Sequence, residues 1–259
     1  MPYLTANGHR VHYSLEGPAT APVVMFSNSL GTRFTMWDAQ AAALRDRFRV
    51  LRYDARGQGD SEVTPGPYSI DLLGRDCLAL ADALAIPRFH FCGLSMGGLI
   101  GLWLGIHAGS RLDRLVVANS AARVGTAEVW NARIATVEAR GMPEIAAAAY
   151  GRWFTADFVK RSPDLAEPIR QGLLSADPAG YAASCAAVRD ADFRDRLAGI
   201  ATPLLYVGGT FDPVTPVAEG QFVVDRVPGA QLVALPASHL SNIEAAAAFT
   251  AALQAFLEA

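Results

Sequence analysis

The residues best suited to chemistry are a serine between glycines and, much later in the chain, an aspartate and a histidine. Ser95 lies in Gly93-Leu94-Ser95-Met96-Gly97, which fits the pattern Gly-x-Ser-x-Gly. An apolar, strand-like stretch (RFHFC) precedes the turn, and an apolar, helix-like stretch (GLIGLWLGI) follows it. A serine on such a turn lies at a helix N-terminus, where backbone N–H groups favour negative charge. Small residues also pack at such corners without any chemistry, but these flanking elements favour a nucleophile at Ser95.

A nucleophilic serine needs a base, and the base needs an acid that orients it. Of the five histidines, His239 directly follows the last strand-like segment and is the predicted base; its alternative role is to cap a helix. Asp212 follows the preceding strand-like segment and is the predicted acid; its alternative role is that of a turn aspartate. The rival acids are Asp54, after an earlier strand, and Asp225, in a predicted helix. The chain order serine, aspartate, histidine fits this type of site.

Acyl transfer also needs two N–H donors for the oxyanion of the intermediate. The backbone N–H of Met96, directly after the serine, is one predicted donor. The second is the backbone N–H of Leu30, in the loop SNSLGT after the strand-like VVMFSNS. The segment DARGQGDS at Asp54–Ser61 is predicted to be a tight turn that braces the same edge, with no chemistry of its own.

Strand-like and helix-like segments alternate along the chain, which predicts an α/β fold with a mostly parallel sheet flanked by helices. PYLTANG and HRVHYSLEG form a predicted hairpin that turns at Asn7-Gly8. The later strands need crossover connections, and sites in such sheets form at the carboxyl ends of the strands. The predicted strands are PVVMFSNS, FRVLRYDA, RFHFCGLS, LDRLVVANS, TPLLYVGGT and AQLVALP, and the predicted helices include SIDLLGRDCLALADALAI, MGGLIGLWLGIHA and NIEAAAAFTAALQAFLEA.

The alternation breaks between residues 121 and 190, which are rich in alanine and arginine and contain no convincing strand. We therefore expect a helical lid or cap at 121–190, inserted into a core that comprises residues 1–120 and 191–259.

The composition excludes several classes of function. The chain has 259 residues, of which 51% are hydrophobic, and a net charge of -3 without a basic run, so it can bury a core but gives no support for a nucleic-acid partner. The absence of a membrane-length apolar stretch and of a signal-peptide pattern predicts a cytoplasmic protein. Cys77, Cys92 and Cys185 fit neither a disulfide framework nor a zinc site, and the only lysine, Lys160, is not part of a phosphate-binding loop. The sequence does not indicate an oligomeric state.

Several motifs together resemble the α/β-hydrolase fold across nearly the whole chain. They are the turn at Ser95, DxRGxGxS at Asp54–Ser61, GxxDPVTP at Gly209–Pro216 and the late His239. Many members carry a His-Gly pair in the loop where this chain has SNSLGTRFTMWDAQ at Ser27–Gln40. That segment, with YDARGQGDS and GLSMGG, is similar to the 3-oxoadipate enol-lactonases of bacterial aromatic degradation. The resemblance implies a serine hydrolase of the β-ketoadipate pathway, without metal or organic cofactor, that opens a small carboxylate-bearing enol-lactone to 3-oxoadipate through an acyl-enzyme.

A substrate that carries a carboxylate needs a cation near the pocket, and the insertion supplies arginines beside tryptophans. We predict Arg133 as the carboxylate partner, with Trp153 and Trp130 as apolar walls of the pocket. Alternatively, the arginines of the insertion form a solvated face and pair with its glutamates at helical spacing. The other arginines considered are Arg123, Arg140 and Arg152, and the glutamates are Glu128, Glu138 and Glu144.

The fold does not choose among related chemistries, because the pocket sets the substrate. A carboxylesterase, a carbon–carbon bond hydrolase and a cofactor-free perhydrolase would all use the same three residues. A haloalkane dehalogenase is disfavoured, since that chemistry needs an aspartate at the position of Ser95. A ligand sensor on the same fold is the alternative outside enzymology, and the complete set of catalytic residue types argues against it.

Overall fold

The computed structural model describes residues 2–259, which form an eight-stranded sheet with helices on both faces. The strand order is β1-β2-β4-β3-β5-β6-β7-β8. The pairs β1–β2 and β2–β4 are antiparallel, and all later neighbours are parallel. This is the mostly parallel sheet that the sequence predicts. The strands are β1 (Tyr3–Ala6), β2 (His9–Glu16), β3 (Val23–Ser27), β4 (Arg49–Tyr53), β5 (Phe89–Leu94), β6 (Leu112–Ala118), β7 (Leu204–Gly209) and β8 (Gln231–Leu235).

The opening hairpin has the predicted turn. Asn7 and Gly8 both have positive φ, 46° and 75°, which is the backbone of a two-residue turn whose twist matches that of the strands. Ala6 pairs with His9 across it. The hairpin prediction is therefore confirmed.

The central strands are buried on both faces. Every residue of β5 and β7 is buried, and in β3 only Val23 is partly exposed. Such strands read as continuous apolar runs because helices cover both faces of a parallel sheet. All six strands predicted after the hairpin lie where the sequence places them.

Helix α3, which follows the predicted nucleophile, packs against β5 and β6, and other elements cover the rest of its surface. It is therefore apolar around its whole circumference. In the part of the chain that the structure describes, no helix has both the length and the apolar character needed to cross a membrane. The helices are α1 (Asp38–Leu44), α2 (Ile70–Ala83), α3 (Met96–His107), α4 (Ala127–Arg140), α5 (Met142–Trp153), α6 (Ala156–Arg161), α7 (Pro163–Leu174), α8 (Pro178–Asp190), α9 (Val217–Val224), α10 (Ser241–Glu244) and α11 (Ala246–Glu258).

Helices α4 to α8 all lie between β6 and β7, within the range expected for the insertion. Their role as a lid stays a prediction.

The sequence predicts one continuous C-terminal helix, and this prediction is wrong. The helix is interrupted at Ala245, whose φ of -118° and ψ of 44° are not helical. The Glu244 side chain, just before the break, accepts hydrogen bonds from Thr155 and Ser238 instead of facing solvent. A tertiary contact thus overrides the helical preference of the alanine-rich stretch.

Candidate active site

Ser95 lies on a strained turn between β5 and α3. Its φ of 58° and ψ of -114° lie in a region that residues with a side chain rarely adopt. Neither flanking glycine has room for a side chain: a Cβ on Gly93 would lie 2.0 Å from the carbonyl oxygen of Gly97, and one on Gly97 would lie 2.3 Å from that of Ser27. The two glycines therefore permit the turn that holds Ser95 at the N-terminus of α3.

His239 and Asp212 form a buried, hydrogen-bonded pair. His239 Nδ1 is 2.8 Å from Asp212 Oδ2. The other Asp212 oxygen accepts from the N–H groups of Val214, at 2.7 Å, and Thr215, at 3.1 Å. Burial by itself would raise the pKa of Asp212, but the bonds from His239, Asn119 and Thr215 outweigh burial and lower it. An ionised Asp212 fixes the donor at Nδ1, which leaves Nε2 of the imidazole as the acceptor.

Asn119 is a member of this network that sequence reasoning missed. Its Nδ2 donates to Asp212 Oδ2 at 2.9 Å, and its Oδ1 accepts from the Ser241 hydroxyl. The residue directly follows β6 and has a φ of 41°. Its place at the end of a parallel strand was the signal in the sequence, since sites form at that edge.

A small cavity brings the predicted residues together. Ser95 and His239 line it from the core, with Leu30 beside them. Its room for water-sized occupants is about 30 Å³, enough for roughly two waters. Among residues 2–259, no group is hydrogen-bonded to the Ser95 hydroxyl, and such bonds are often long before substrate binds. From the insertion, the cavity is lined by Trp130, Arg133 and Trp153, whose predicted roles toward a substrate stay predictions, and by Arg152 and Tyr181.

Two backbone N–H groups beside Ser95 have no acceptor among the described residues: those of Leu30 and Met96. The residue after each of them is bonded: the Gly31 N–H donates to Gln58 Oε1 at 2.7 Å, and the Gly97 N–H donates to the Asn28 carbonyl at 3.1 Å. Gln58 belongs to the turn expected to brace this edge, and through Gly31 it holds the loop that carries Leu30. The two predicted donors are thus available to a ligand.

The rival acids lie elsewhere. Asp54 is bonded to His12 Nδ1 at 2.8 Å and accepts from the Phe34 N–H at 2.8 Å. Burial raises the pKa of Asp54 despite these bonds. Asp225 is exposed after α9 and accepts from Gln221. Neither contacts His239.

One cluster has the residue types of a metal site. Ligand atoms of His12, Asp54 and Asp60 lie within 4.8 Å of one another. Asp54 already accepts three hydrogen bonds, from His12 and from the N–H groups of Phe34 and Asp60. Arg33 donates to Asp60 at 2.7 Å. The cluster is therefore satisfied without a cation.

The cavity is positively charged on the side of the insertion. The Arg133 guanidinium lies 4.5 Å from the centre of the Trp130 ring, a cation–π contact. Burial and the charge of Arg133 lower the pKa of Arg152. Burial raises the pKa of Tyr181, and both guanidinium groups oppose that rise. Among the other arginines, Arg140 pairs with Glu144 on the surface, as the alternative interpretation predicted.

The fold and this arrangement define a class of protein. Residues 24–253 match the model of the alpha/beta hydrolase family, and the chain belongs to that family. It is 44% identical to 3-oxoadipate enol-lactonase 2 of Acinetobacter baylyi over 98% of this chain and 96% of that protein. The crystal structure of the enol-lactonase from Burkholderia xenovorans LB400 has a TM-score of 0.98 and 45% identity, with both chains covered completely. A malate-bound thermophilic esterase from Thermogutta terrifontis has a TM-score of 0.93 and 28% identity, covering 99% of this chain and 97% of that one.

Proposed function

We propose that this protein is a 3-oxoadipate enol-lactonase that hydrolyses a small, carboxylate-bearing enol-lactone to 3-oxoadipate. The observation that carries the proposal is that one cavity holds Ser95 and His239 on one side and two arginines on the other. The first pair suits acyl transfer and the second suits a substrate anion. The 44% identity to an enol-lactonase over nearly the whole chain supports the same substrate.

Ser95, His239 and Asp212 are the proposed catalytic triad. Ser95 Oγ attacks the lactone carbonyl carbon while His239 Nε2 takes its proton. The oxyanion accepts hydrogen bonds from the N–H groups of Leu30 and Met96. Asp212 stabilises the imidazolium that forms and stays ionised itself.

Ring opening then breaks the bond between the carbonyl carbon and the ring oxygen. The leaving group is an enolate, which is a better leaving group than an alkoxide because its charge spreads onto carbon. His239 returns its proton to the enolate oxygen, and the leaving group stays tethered in the acyl-enzyme. A water activated by His239 cleaves the ester to Ser95, and the released enol ketonises to 3-oxoadipate.

Residues 121–190 are proposed to act as a lid. The cavity below them has room for about two waters, far less than a lactone occupies. Part of the insertion must therefore move before substrate enters, and its closure excludes water from the acyl-enzyme. Arg133 is the proposed carboxylate partner on this lid, and Trp130 and Trp153 are the proposed walls.

A carboxylesterase is the second candidate, because the chain resembles an esterase at 28% identity over nearly its full length. The two arginines in the cavity favour the lactonase, since a neutral ester offers them no partner. Carbon–carbon bond hydrolysis and perhydrolysis need the same triad and have no such support.

The decisive test is hydrolysis of 3-oxoadipate enol-lactone beside that of p-nitrophenyl acetate. We expect kcat/KM on the lactone to exceed that on the neutral ester by about 100-fold, the worth of a well-placed charge pair. Ser95→Ala should abolish turnover of both, whereas Ser175→Ala, on the exposed end of α7, should change neither. Preference for the ester would contradict the lactonase assignment and leave an esterase.

A further inference from the structure

The loop that carries His239 is bonded directly to the end of α5. The Ser238 hydroxyl donates to the Arg152 carbonyl at 2.9 Å. The Leu240 N–H donates to the Trp153 carbonyl at 3.0 Å. The residues on either side of His239 are therefore tied to two residues of α5 that line the cavity, Arg152 and Trp153.

Glu244 closes the same contact from the other side. Its carboxylate accepts from the Ser238 N–H at 2.8 Å and from the Thr155 N–H at 3.3 Å, and it also accepts from the Thr155 hydroxyl. Charge-assisted bonds of this kind are stronger than neutral ones. The segment 152–155 and the histidine loop thus form one hydrogen-bonded unit, which we call the α5 clamp.

The Arg152 side chain projects from this clamp into the cavity without a carboxylate partner. Among residues 2–259, no acidic group pairs with it, and the nearby charge that affects its pKa most is that of Arg133. Holding a half-buried guanidinium beside another cation is unfavourable, and a ligand carboxylate would relieve it.

Arg133 is attached to the molecule in a different way. It lies on α4 and stacks on Trp130, whose ring N–H donates to the Val124 carbonyl at 2.6 Å. Within the described chain, no hydrogen bond joins α4 to the histidine loop. The distance from Arg133 to His239 therefore depends on where α4 lies, whereas the Arg152 backbone is fixed to that loop.

We propose that Arg152 is a substrate-binding residue that determines specificity: it holds the substrate carboxylate at a fixed distance from His239, and Arg133 is a second cation on the same group. The proposal rests on the proposed function and names the residue that gives it its selectivity for an anionic lactone. A carboxylate held at this distance from His239 places the ring carbonyl within reach of Ser95. Such orientation contributes to rate as well as to binding.

The test is a cycle in which the charge is removed from the protein, from the substrate, or from both. The substrates are 3-oxoadipate enol-lactone and the methyl ester of its side-chain carboxylate. We expect Arg152→Gln to lower kcat/KM on the acid about 100-fold and on the methyl ester by less than about threefold. Arg140→Gln, which removes a surface arginine of the same insertion, should change neither.

Variants of Arg133 measure how much the second cation contributes to binding the substrate carboxylate. Arg133→Gln and Arg133→Ala should raise KM for the acid far more than for the methyl ester. The loss in kcat should be smaller than in Arg152→Gln, because Arg133 does not fix the distance of the carboxylate from His239. Turnover of the methyl ester by each variant reports that the protein is folded and the triad intact.

Four results would overturn the proposal. Equal losses on acid and methyl ester would mean that Arg152 acts on the fold or on His239 and not on the carboxylate. An unchanged kcat/KM on the acid would exclude a contact. A wild-type enzyme that hydrolyses both lactones equally well would refute Arg152 as a specificity residue and leave lactone hydrolysis standing, whereas no turnover of either lactone would refute both proposals.

Discussion

At the scale of single residues, the site depends on keeping a buried carboxylate charged. Asp212 accepts hydrogen bonds from His239, Asn119, Val214 and Thr215. These bonds satisfy both oxygens, so that burial does not protonate the group. An ionised acid beside the imidazole is what a serine hydrolase needs for the proposed proton transfer.

Asn119 is expected to act as a positioning residue for Asp212. Asn119→Ala removes one of the donors, so the pKa of Asp212 should rise, and kcat/KM should fall about 10- to 100-fold, the worth of a bond to a charged group. Because a raised pKa leaves less ionised Asp212 in acid, the loss should be larger at pH 5 than at pH 8. The measurement is the pH profile of kcat/KM.

Ser241→Ala is the milder companion variant, since it frees the Asn119 amide without removing it. It should shift the profile in the same direction by less. A loss that is the same at every pH would show that Asn119 serves the fold and not the carboxylate.

At the scale of elements, the site is assembled where strands end and helices begin. Ser95 joins β5 to α3, Asp212 follows β7, and His239 follows β8. The α5 clamp adds an element from the insertion to this edge. Glu244, the carboxylate acceptor of the clamp, lies directly before Ala245, where the C-terminal helix breaks.

Glu244→Ala should loosen the clamp. We expect kcat/KM on 3-oxoadipate enol-lactone to fall about tenfold, and the melting temperature to drop by a few degrees, because several bonds to one carboxylate are lost. The control is Glu258→Ala on α11, which breaks a surface ion pair with Arg47 and should leave activity unchanged. Wild-type kinetics in Glu244→Ala would show that the contact does not position the histidine loop.

At the scale of the whole molecule, charge is distributed unevenly. The chain carries a net charge of -3, yet the cavity beside Ser95 faces two arginines. Three histidines of the sheet, His9, His12 and His90, are buried away from that site. His90 lies in β5 with its ring edge against Phe48, and in the described structure its Nδ1 has no partner.

His9 and His90 should make the fold sensitive to acid. Burial lowers the pKa of His90, opposed by Asp113 and assisted by Arg114, and burial also lowers that of His9, despite Asp76. A lowered folded-state pKa means that the unfolded chain binds more protons below about pH 6.5. The contribution of each histidine to the free energy of unfolding should therefore be fully present above that pH. It should decrease as the pH falls toward the folded-state pKa values, by at most about 1.4 kcal/mol per pH unit for each histidine.

Urea unfolding between pH 7.5 and 5 measures this slope. His90→Leu replaces the imidazole by an apolar side chain and should flatten the dependence of the unfolding free energy on pH, while the activity at pH 7.5 stays close to that of the wild type. An unchanged slope in the variant would assign the acid sensitivity to other groups.

Local patterns in the sequence were sufficient for the elements. Apolar runs of strand length, the Asn7-Gly8 turn and the glycines around Ser95 each depend on a few consecutive residues, and the structure has the hairpin, the strands and the strained turn at those positions. The parallel order of the strands then places the serine, the aspartate and the histidine at one edge, because the carboxyl ends of parallel strands meet there.

Only the tertiary structure decided which side chains meet. Asp54 and Asp212 both follow strands, and sequence could rank them, but the contact with His239 selects Asp212. Asn119, Arg152 and the break at Ala245 depend on partners far away in the chain. Such contacts follow from how helices pack on the sheet and from which rotamers fit, and neither has a period or a spacing that the sequence displays.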